Sequence, residues 1–282
     1  MSSFRDAIAQ ARRCLAAAGN PDAYFDALCL AEKVFRLEKT RLRLAWQQTV
    51  PSPQMEAYQS LIERRAAGEP LQYLLGGWEF YSLPFAVGEG VLIPRPETEL
   101  LVDLAREFLA EQAAAVVFDL CAGSGCVGLS IARHCPEARI LLMELSPRAI
   151  CCCKKNKASL AAENATVMPL DITQPPPGTL PRPRLIVSNP PYIRSAEIGG
   201  LGKELQWEPR LALDGGADGL RFYRALARHW LRLLPPGGLL AAECGEGQAE
   251  EITALFRASG CECGCLKDMN GIRRVVTARK SA

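Results

Sequence analysis

Asp119-Leu120-Cys121-Ala122-Gly123-Ser124-Gly125-Cys126-Val127-Gly128 is the stretch whose reading decides the fold. It follows the short apolar run Val116 to Leu120 and opens a segment with helical spacing, so it reads as a strand-to-helix turn that contains G-x-G-x-x-G. Glycines there let the backbone turn sharply and approach a ligand with no Cβ in the way. Glu144 stands about 20 residues on, at the end of a second apolar run, where a carboxylate can accept both hydroxyls of a ribose. Loop and acid together predict a nucleoside cofactor.

Outward from the loop, Ile140 to Met143, Thr166 to Met168, Leu185 to Val187 and Leu239 to Ala242 are further apolar runs. Each is too short for a helix and lies between turn signals. Strands alternating with helices predict a mostly parallel sheet. Cys261 to Leu266 and Ile272 to Ala278 read as two more strands joined across Asn270-Gly271, an antiparallel hairpin at the end of the sheet. Five parallel strands closed by a hairpin give an α/β fold of the methyltransferase variety of the doubly wound, Rossmann-like sheets. That choice bears on the cofactor. A dinucleotide would set its pyrophosphate on the helix N-terminus, whereas S-adenosyl-L-methionine has no phosphate and brings an ammonium, for which Asp119 is a partner directly or through water.

From Phe4 to about Arg65 the apolar residues instead recur at three and four, through Ile8, Leu15, Tyr24, Leu28, Phe35, Tyr58 and Ile62. Asn20-Pro21-Asp22 and Thr49 to Pro53 punctuate the runs, and Gly68-Glu69-Pro70 is expected to end them. The predicted organisation is a small all-helical domain over 1–70, a hairpin linker over 71–96 turning at Tyr81-Ser82, and a catalytic domain over 97–282 whose first helix starts at about Glu97. Pro175-Pro176-Pro177-Gly178 and Pro181-Arg182-Pro183 leave no room for a full helix before the fourth strand.

With 282 residues, 49% hydrophobic and 23% charged, the chain excludes disordered and fibrous classes. A formal net charge of +2 gives no basic field for nucleic acid or an anionic membrane. No apolar stretch approaches the roughly 18 residues of a membrane span, and the charged N-terminus is unlike a signal peptide, so a cytoplasmic protein is expected. The 12 cysteines are too sparse for a disulfide scaffold and are expected to be reduced. Cys151-Cys152-Cys153 diverge around a helix, while Cys261, Cys263 and Cys265 spread over about 13 Å of strand, so neither run makes a tetrahedral metal site and no metal is expected. They read as small buried hydrophobes. His134 and His229 read as solvated helix positions, and Lys154-Lys155-Asn156-Lys157 as a wet helix end.

Ser188-Asn189-Pro190-Pro191-Tyr192 closes the fourth strand at the carboxyl edge, where open α/β sheets bind ligands. An amide or aromatic amino nitrogen is a poor nucleophile because its lone pair is delocalised. A site that methylates one must orient it and help it pyramidalise. The Asn189 side-chain oxygen and the Pro190 carbonyl can each accept one N–H, and Tyr192 can lie on the flat face of the group, which is catalysis by positioning and electrostatics. Asn189, Pro190 and Tyr192 are therefore the candidate catalytic residues, with Pro191 completing the substrate-binding set. Gly199, Gly200 and Gly202, just beyond, suggest a lid.

At this point the sequence resembles the release factor glutamine methyltransferases, which methylate the glutamine side chain of the Gly-Gly-Gln motif in peptide chain release factors. Asn-Pro-Pro-Tyr alone is shared with nucleic-acid amino methyltransferases. The narrowing segments are Gly68-Glu69-Pro70-Leu71-Gln72-Tyr73 with Gly76, Val91-Leu92-Ile93-Pro94-Arg95-Pro96-Glu97-Thr98-Glu99, Glu208-Pro209, and Ala212-Leu213-Asp214-Gly215-Gly216 with Asp218-Gly219-Leu220. The resemblance covers nearly the whole chain. It implies a class I S-adenosylmethionine-dependent methyltransferase domain and a helical domain that helps hold the release factor. The cofactor loop would run through Cys121, Ala122, Gly123, Ser124 and Gly125, Glu144 would hold the ribose, and Asp171 with Ile172 would flank the adenine. Asn189 to Tyr192 would hold the glutamine amide, with Arg95 and Glu97 near the cofactor or the glutamine entrance. Cys121-Ala122 replaces a more frequent Gly-Thr, and Ile172 a more frequent aromatic. The implied partners are release factors 1 and 2, with no stable nucleic acid, no membrane and a monomeric chain. Three rivals stand beside this reading: a nucleic-acid amino methyltransferase, an NAD-linked oxidoreductase, which would have no use for Asn189 to Tyr192, and a non-enzymatic binding module.

Overall fold

A computed structural model describes residues 2–112 and 114–281. The chain forms two compact units, residues through Gly77 together with Gly202–Trp207, and Trp78–Leu201 together with the chain from Glu208 onward.

The first unit is helical: α1 (Phe4–Ala17), α2 (Ala23–Phe35), α3 (Lys39–Leu44), α4 (Ser52–Ala66) and α5 (Leu71–Leu75). Ser3 caps α1 in a capping box with Asp6, and the buried face of that helix, Phe4, Ala7, Ile8, Ala11 and Leu15, has the expected three-and-four spacing. Phe4, Phe35 and Tyr58 stack in series, and the Tyr58 hydroxyl donates to the Ala27 carbonyl at 2.8 Å. The Arg65 guanidinium is buried and donates to Asp26 at 2.6 Å, to the Glu69 carbonyl at 3.1 Å, and to Glu204. Burial of a guanidinium is tolerable here because carboxylates and a carbonyl receive its donors.

Gly68-Glu69-Pro70 does not end the helices as expected. Pro70, with φ −58°, precedes the first turn of α5, because its fixed backbone angle suits a helix start and its missing N–H costs nothing there. The helical unit therefore extends past residue 70 to Gly77, and the hairpin that follows belongs to the second unit instead of forming a separate linker.

That hairpin is β1 (Gly77–Phe80) and β2 (Leu83–Ala86), turning at Tyr81 and Ser82, both with positive φ (51° and 57°), the geometry of a two-residue hairpin turn. Pro96–Thr98 forms a single 3-10 turn before α6 (Glu99–Leu109). The large sheet follows: β3 (Val116–Leu120), β4 (Arg139–Glu144), β5 (Ala165–Pro169), β6 (Leu185–Ser188), β7 (Leu239–Glu243), β8 (Cys261–Lys267) and β9 (Arg273–Lys280). Its order is β5-β4-β3-β6-β7-β9-β8. The first five strands pair in parallel, and β9 runs antiparallel to both β7 and β8. The proline-rich stretch between β5 and β6 holds no helix, as expected. Helices α7 (Cys126–His134), α8 (Pro147–Ser159), α9 (Arg210–Leu213), α10 (Arg221–Ala225) and α11 (Ala249–Ala258) complete the unit.

Strands β3, β4, β6 and β7 are apolar on both faces and separate two buried clusters, one under α6 and α7, the other around Phe118, Trp230 and Phe256. The chain runs outward from β3 to β5, then returns to the other side of β3 as β6. The resulting switch point lies between the carboxyl ends of β3 and β6, where a crevice opens.

Candidate active site

Two backbone features shape the loop after β3. Gly128 lies so close to the sheet that a Cβ there would stand 2.7 Å from both Asp119 Oδ2 and Leu142 Cδ2, so only glycine lets α7 pack onto β3 and β4. Cys121 takes a left-handed φ of 62°, a conformation that disfavours side chains.

The loop borders an open, mostly apolar cleft at the switch point. Cys121 and Gly123 form one wall, Met143 and Glu144 the end of β4, and Leu170, Asp171 and Ile172 the segment after β5. Asn189 and Pro191 enter from the end of β6, with Pro209, Leu211, Ala212 and Phe222 opposite. Of the site residues expected from sequence, Cys121, Gly123, Glu144, Asp171, Ile172, Asn189 and Pro191 line this one crevice. Asp119, Ala122, Ser124 and Gly125 are buried and do not line the cleft; Asp119 is 2% exposed, and its carboxylate accepts the Gly128 N–H at 2.8 Å. Burial pushes the Asp119 carboxyl up to about 7, against that hydrogen bond and with the help of the nearby Glu144 charge.

Glu144 accepts the N–H groups of Gly123, Leu145 and Ser146, each at 2.8 Å. A carboxylate has about four acceptor positions, so one remains for a hydroxyl. Asp171 caps its own turn through Thr173. Ile172 is buried, its carbonyl accepting the Trp230 indole N–H at 2.8 Å, which fixes the backbone of the apolar wall.

The candidate motif Asn189 to Tyr192 is held from several sides. Ser188 donates to the Leu120 carbonyl at 2.7 Å and ties β6 to β3. Gln248 donates to the Tyr192 carbonyl at 3.0 Å. Gly219 abuts the same carbonyl so closely that a Cβ would lie 2.4 Å from it, which explains a glycine in the loop that packs against the motif. Tyr192 is half-buried, and its phenol is pushed up to about 12 by burial and the Glu243 charge, so it acts as a neutral ring and hydroxyl. Asn189 donates from Nδ2 to the Thr98 hydroxyl at 3.2 Å, and Thr98 donates to Glu243 Oε2 at 2.6 Å.

Arg95 pairs with the buried Glu208, whose other oxygen accepts the Ile93 N–H at 2.9 Å. Glu97 is half-buried and adds negative charge near Tyr192 and Glu243. Sequence reasoning missed the roles of Thr98, Glu243 and Gln248, although Thr98 sits inside a quoted motif. It also missed Asn156. That residue lies in the lysine run read as a wet helix end, yet it is 1% exposed and donates to the Ser124 carbonyl of the cofactor loop at 2.9 Å while accepting the Ala86 N–H at 2.7 Å.

All twelve cysteines are free thiols. The expectation that the two cysteine runs are buried holds only for Cys153 and Cys261. Cys151 is exposed because helix rotation turns it away from buried Cys153, and Cys265 because it lies farther along the edge strand β8, on the same face as Cys261 but beyond its cover. Among the described residues no His, Cys, Asp or Glu group is gathered to hold a metal ion, and no helix is long and apolar enough to cross a membrane.

Residues 6–76 match the family described as PrmC N-terminal domain, and residues 97–205 the Methyltransferase small domain. The chain is 38% identical to a release factor glutamine methyltransferase of Geobacter sulfurreducens, over 98% of this chain and 96% of the relative. It is 39% identical to another of that name from Moorella thermoacetica, over 92% and 91%. Among solved structures, the hMettl16 catalytic domain in complex with MAT2A 3'UTR hairpin 6 aligns with a TM-score of 0.59 at 13% identity, covering 79% of this chain and 82% of that one. At that identity the likeness speaks for the methyltransferase fold alone.

Proposed function

The chain belongs to the release factor glutamine methyltransferase family, and from that membership we propose that it methylates the side-chain amide nitrogen of the glutamine in the Gly-Gly-Gln motif of peptide chain release factors, with S-adenosylmethionine as methyl donor. The observation that carries the reading is the meeting of Asn189 and Glu144 on one crevice at the switch point of the sheet.

The cleft suits an adenosyl group. Glu144 offers its remaining acceptor position at the end of β4 for a ribose hydroxyl, and Met143, Leu170 and Ile172 offer an apolar wall for a purine. Asp119, just before the loop, is a carboxyl that an ammonium on that side would draw into its ionised form, directly or through water. When bound, S-adenosylmethionine supplies a sulfonium methyl: a nitrogen–carbon bond forms as the carbon–sulfur bond breaks, the neutral thioether leaves, and the surplus amide proton passes to water.

The rest falls to the chain's own side chains. Asn189 Oδ1 and the Pro190 carbonyl receive the two N–H bonds of the glutamine amide and aim its nitrogen, while the neutral Tyr192 ring covers its flat face. Pro191 narrows the crevice beside Asn189. Holding the nitrogen in line is worth several kcal/mol of barrier without any base, since the proton is lost only after transfer. Arg95, fixed by Glu208, stabilises the segment that carries Thr98. Release factors 1 and 2 are the proposed protein partners, met in the cytoplasm by a monomeric enzyme.

Transfer of labelled methyl from S-adenosylmethionine tests this, with a release factor, its Gly-Gly-Gln glutamine-to-alanine variant and total nucleic acid offered in parallel. Label on the release factor alone, lost in the variant, is the expected result. Label on nucleic acid with none on protein overturns it.

A further inference from the structure

Asn189 has two faces of opposite character, a carbonyl oxygen and an NH2, on a side chain that can turn either way with little change in shape. Only the oxygen can receive an N–H of an acceptor amide. A neighbour must therefore decide which end points into the crevice.

Thr98 and Glu243 make that decision by chemistry. Both are nearly buried, at 2% and 3% exposure. With Glu243 ionised, the single hydroxyl proton of Thr98 is given to Glu243 Oε2, 2.6 Å away. What the hydroxyl shows to Asn189, 3.2 Å away, is a lone pair, and only NH2 can meet it. Glu243 ends β7 beside β6, and the Tyr223 hydroxyl anchors its backbone carbonyl at 2.7 Å, so the chain of bonds starts from a fixed point in the sheet.

We infer that Thr98 and Glu243 are positioning residues that orient the Asn189 amide, NH2 outward to Thr98 and oxygen inward to the acceptor nitrogen. This rests on the proposed amide-methylating function. Reversing the direction would set a donor against a donor, and the acceptor would lose one of its two tethers. Arg95, Arg274, Glu97, Tyr192, Tyr223, Cys126 and Cys244 are among the charged or titratable groups that face Glu243 or the ring beside it.

The test compares Thr98→Val, which keeps the shape and removes the hydroxyl, with Thr98→Ser, which keeps the hydroxyl, and with Glu243→Gln, which can donate as well as accept. In Thr98→Val, kcat should fall about 10- to 100-fold while KM for S-adenosylmethionine stays near wild type, and the protein should melt somewhat lower because Glu243 loses its hydroxyl partner. Thr98→Ser should stay within about 3-fold of wild type, and Glu243→Gln, which can meet the hydroxyl with either end of its amide, should fall between the serine and valine variants. A readout independent of turnover is the Asn189 side-chain amide signal in ¹H–¹⁵N spectra, assigned by its loss in Asn189→Ala. It should shift in Thr98→Val and stay in place in Thr98→Ser. Unchanged kcat and an unshifted signal in Thr98→Val overturn the inference. If wild type labels nucleic acid instead of protein, the functional reading fails separately, and the same variants assayed on that amino acceptor still decide the orientation question.

Discussion

Arg95 and Glu208 form an ion pair across 113 residues of chain, and the same carboxylate accepts the Ile93 N–H. Two motifs that look unrelated in sequence, Ile93-Pro94-Arg95-Pro96-Glu97-Thr98 and Glu208-Pro209, are thus one structural unit at the rim of the cleft. Glu208 is almost wholly buried, whereas Arg95 keeps about a third of its side chain in water. Glu208→Ala should cost about 2 kcal/mol of stability, the upper range of a charge-assisted hydrogen bond discounted for that exposure. It should also weaken S-adenosylmethionine binding, because Pro209 and Leu211 line the cleft. Urea unfolding and equilibrium dialysis measure the two effects.

Asp119 sets a pH dependence. Its carboxyl, like that of Glu243, is held up to about 7 by burial, while the unfolded chain ionises near the ordinary carboxylate values. Between those values the folded protein binds the extra protons, so the stability these groups contribute is full at low pH and lost as pH rises through about 7. Asp214, Asp218 and Asp268 are held low by hydrogen bonds, and their contribution runs the other way, being lost only in strong acid. Melting temperature should therefore decline between about pH 5 and pH 8, and Asp119→Asn should flatten that decline. An equally steep profile in the variant would remove Asp119 from the account.

Cys121 carries a side chain in left-handed backbone, a strain of roughly 1–2 kcal/mol for most residues. Cys121→Gly relieves it but gains freedom in the unfolded chain, so a net rise in stability of about 0.5 kcal/mol is expected. Differential scanning calorimetry reads the shift, and a fall in melting temperature would mean that the thiol contributes more by packing than the backbone loses.

Gly128→Ala should be far more damaging. The added Cβ meets Asp119 Oδ2 and Leu142 Cδ2 at 2.7 Å, and neither group can retreat from the sheet. A loss of about 2–4 kcal/mol is expected, with displacement of the loop and weaker cofactor binding. Circular dichroism melts with parallel dialysis would check it.

The sheet was legible because its signals are local. Short apolar runs bounded by glycine and proline need no knowledge of partners, and their predicted limits differ from the observed strands by one or two residues. The antiparallel finish was legible for the same reason, through Asn270-Gly271. The crevice was half legible: Glu144 and Asn189 announce themselves by distance from a glycine loop and by a rare tetrapeptide. The supports did not, since Thr98, Glu243, Gln248 and Asn156 act through neighbours 145, 145, 56 and 32 residues away. A polar residue that is buried only because a distant element covers it carries no periodic signature. The first domain boundary was misplaced because Pro70 was read as a stop, although a proline at the head of a helix is a start.

The central claim is that Asn189 helps methylate the glutamine of a Gly-Gly-Gln motif. It is tested most directly by tandem mass spectrometry of a release factor incubated with S-adenosylmethionine and either wild-type enzyme or Asn189→Ala. The account predicts one added methyl on that glutamine side chain with wild type, and none with a variant that still binds the cofactor and melts normally. A methyl on any other residue, or the same modification produced equally well by Asn189→Ala, would contradict it.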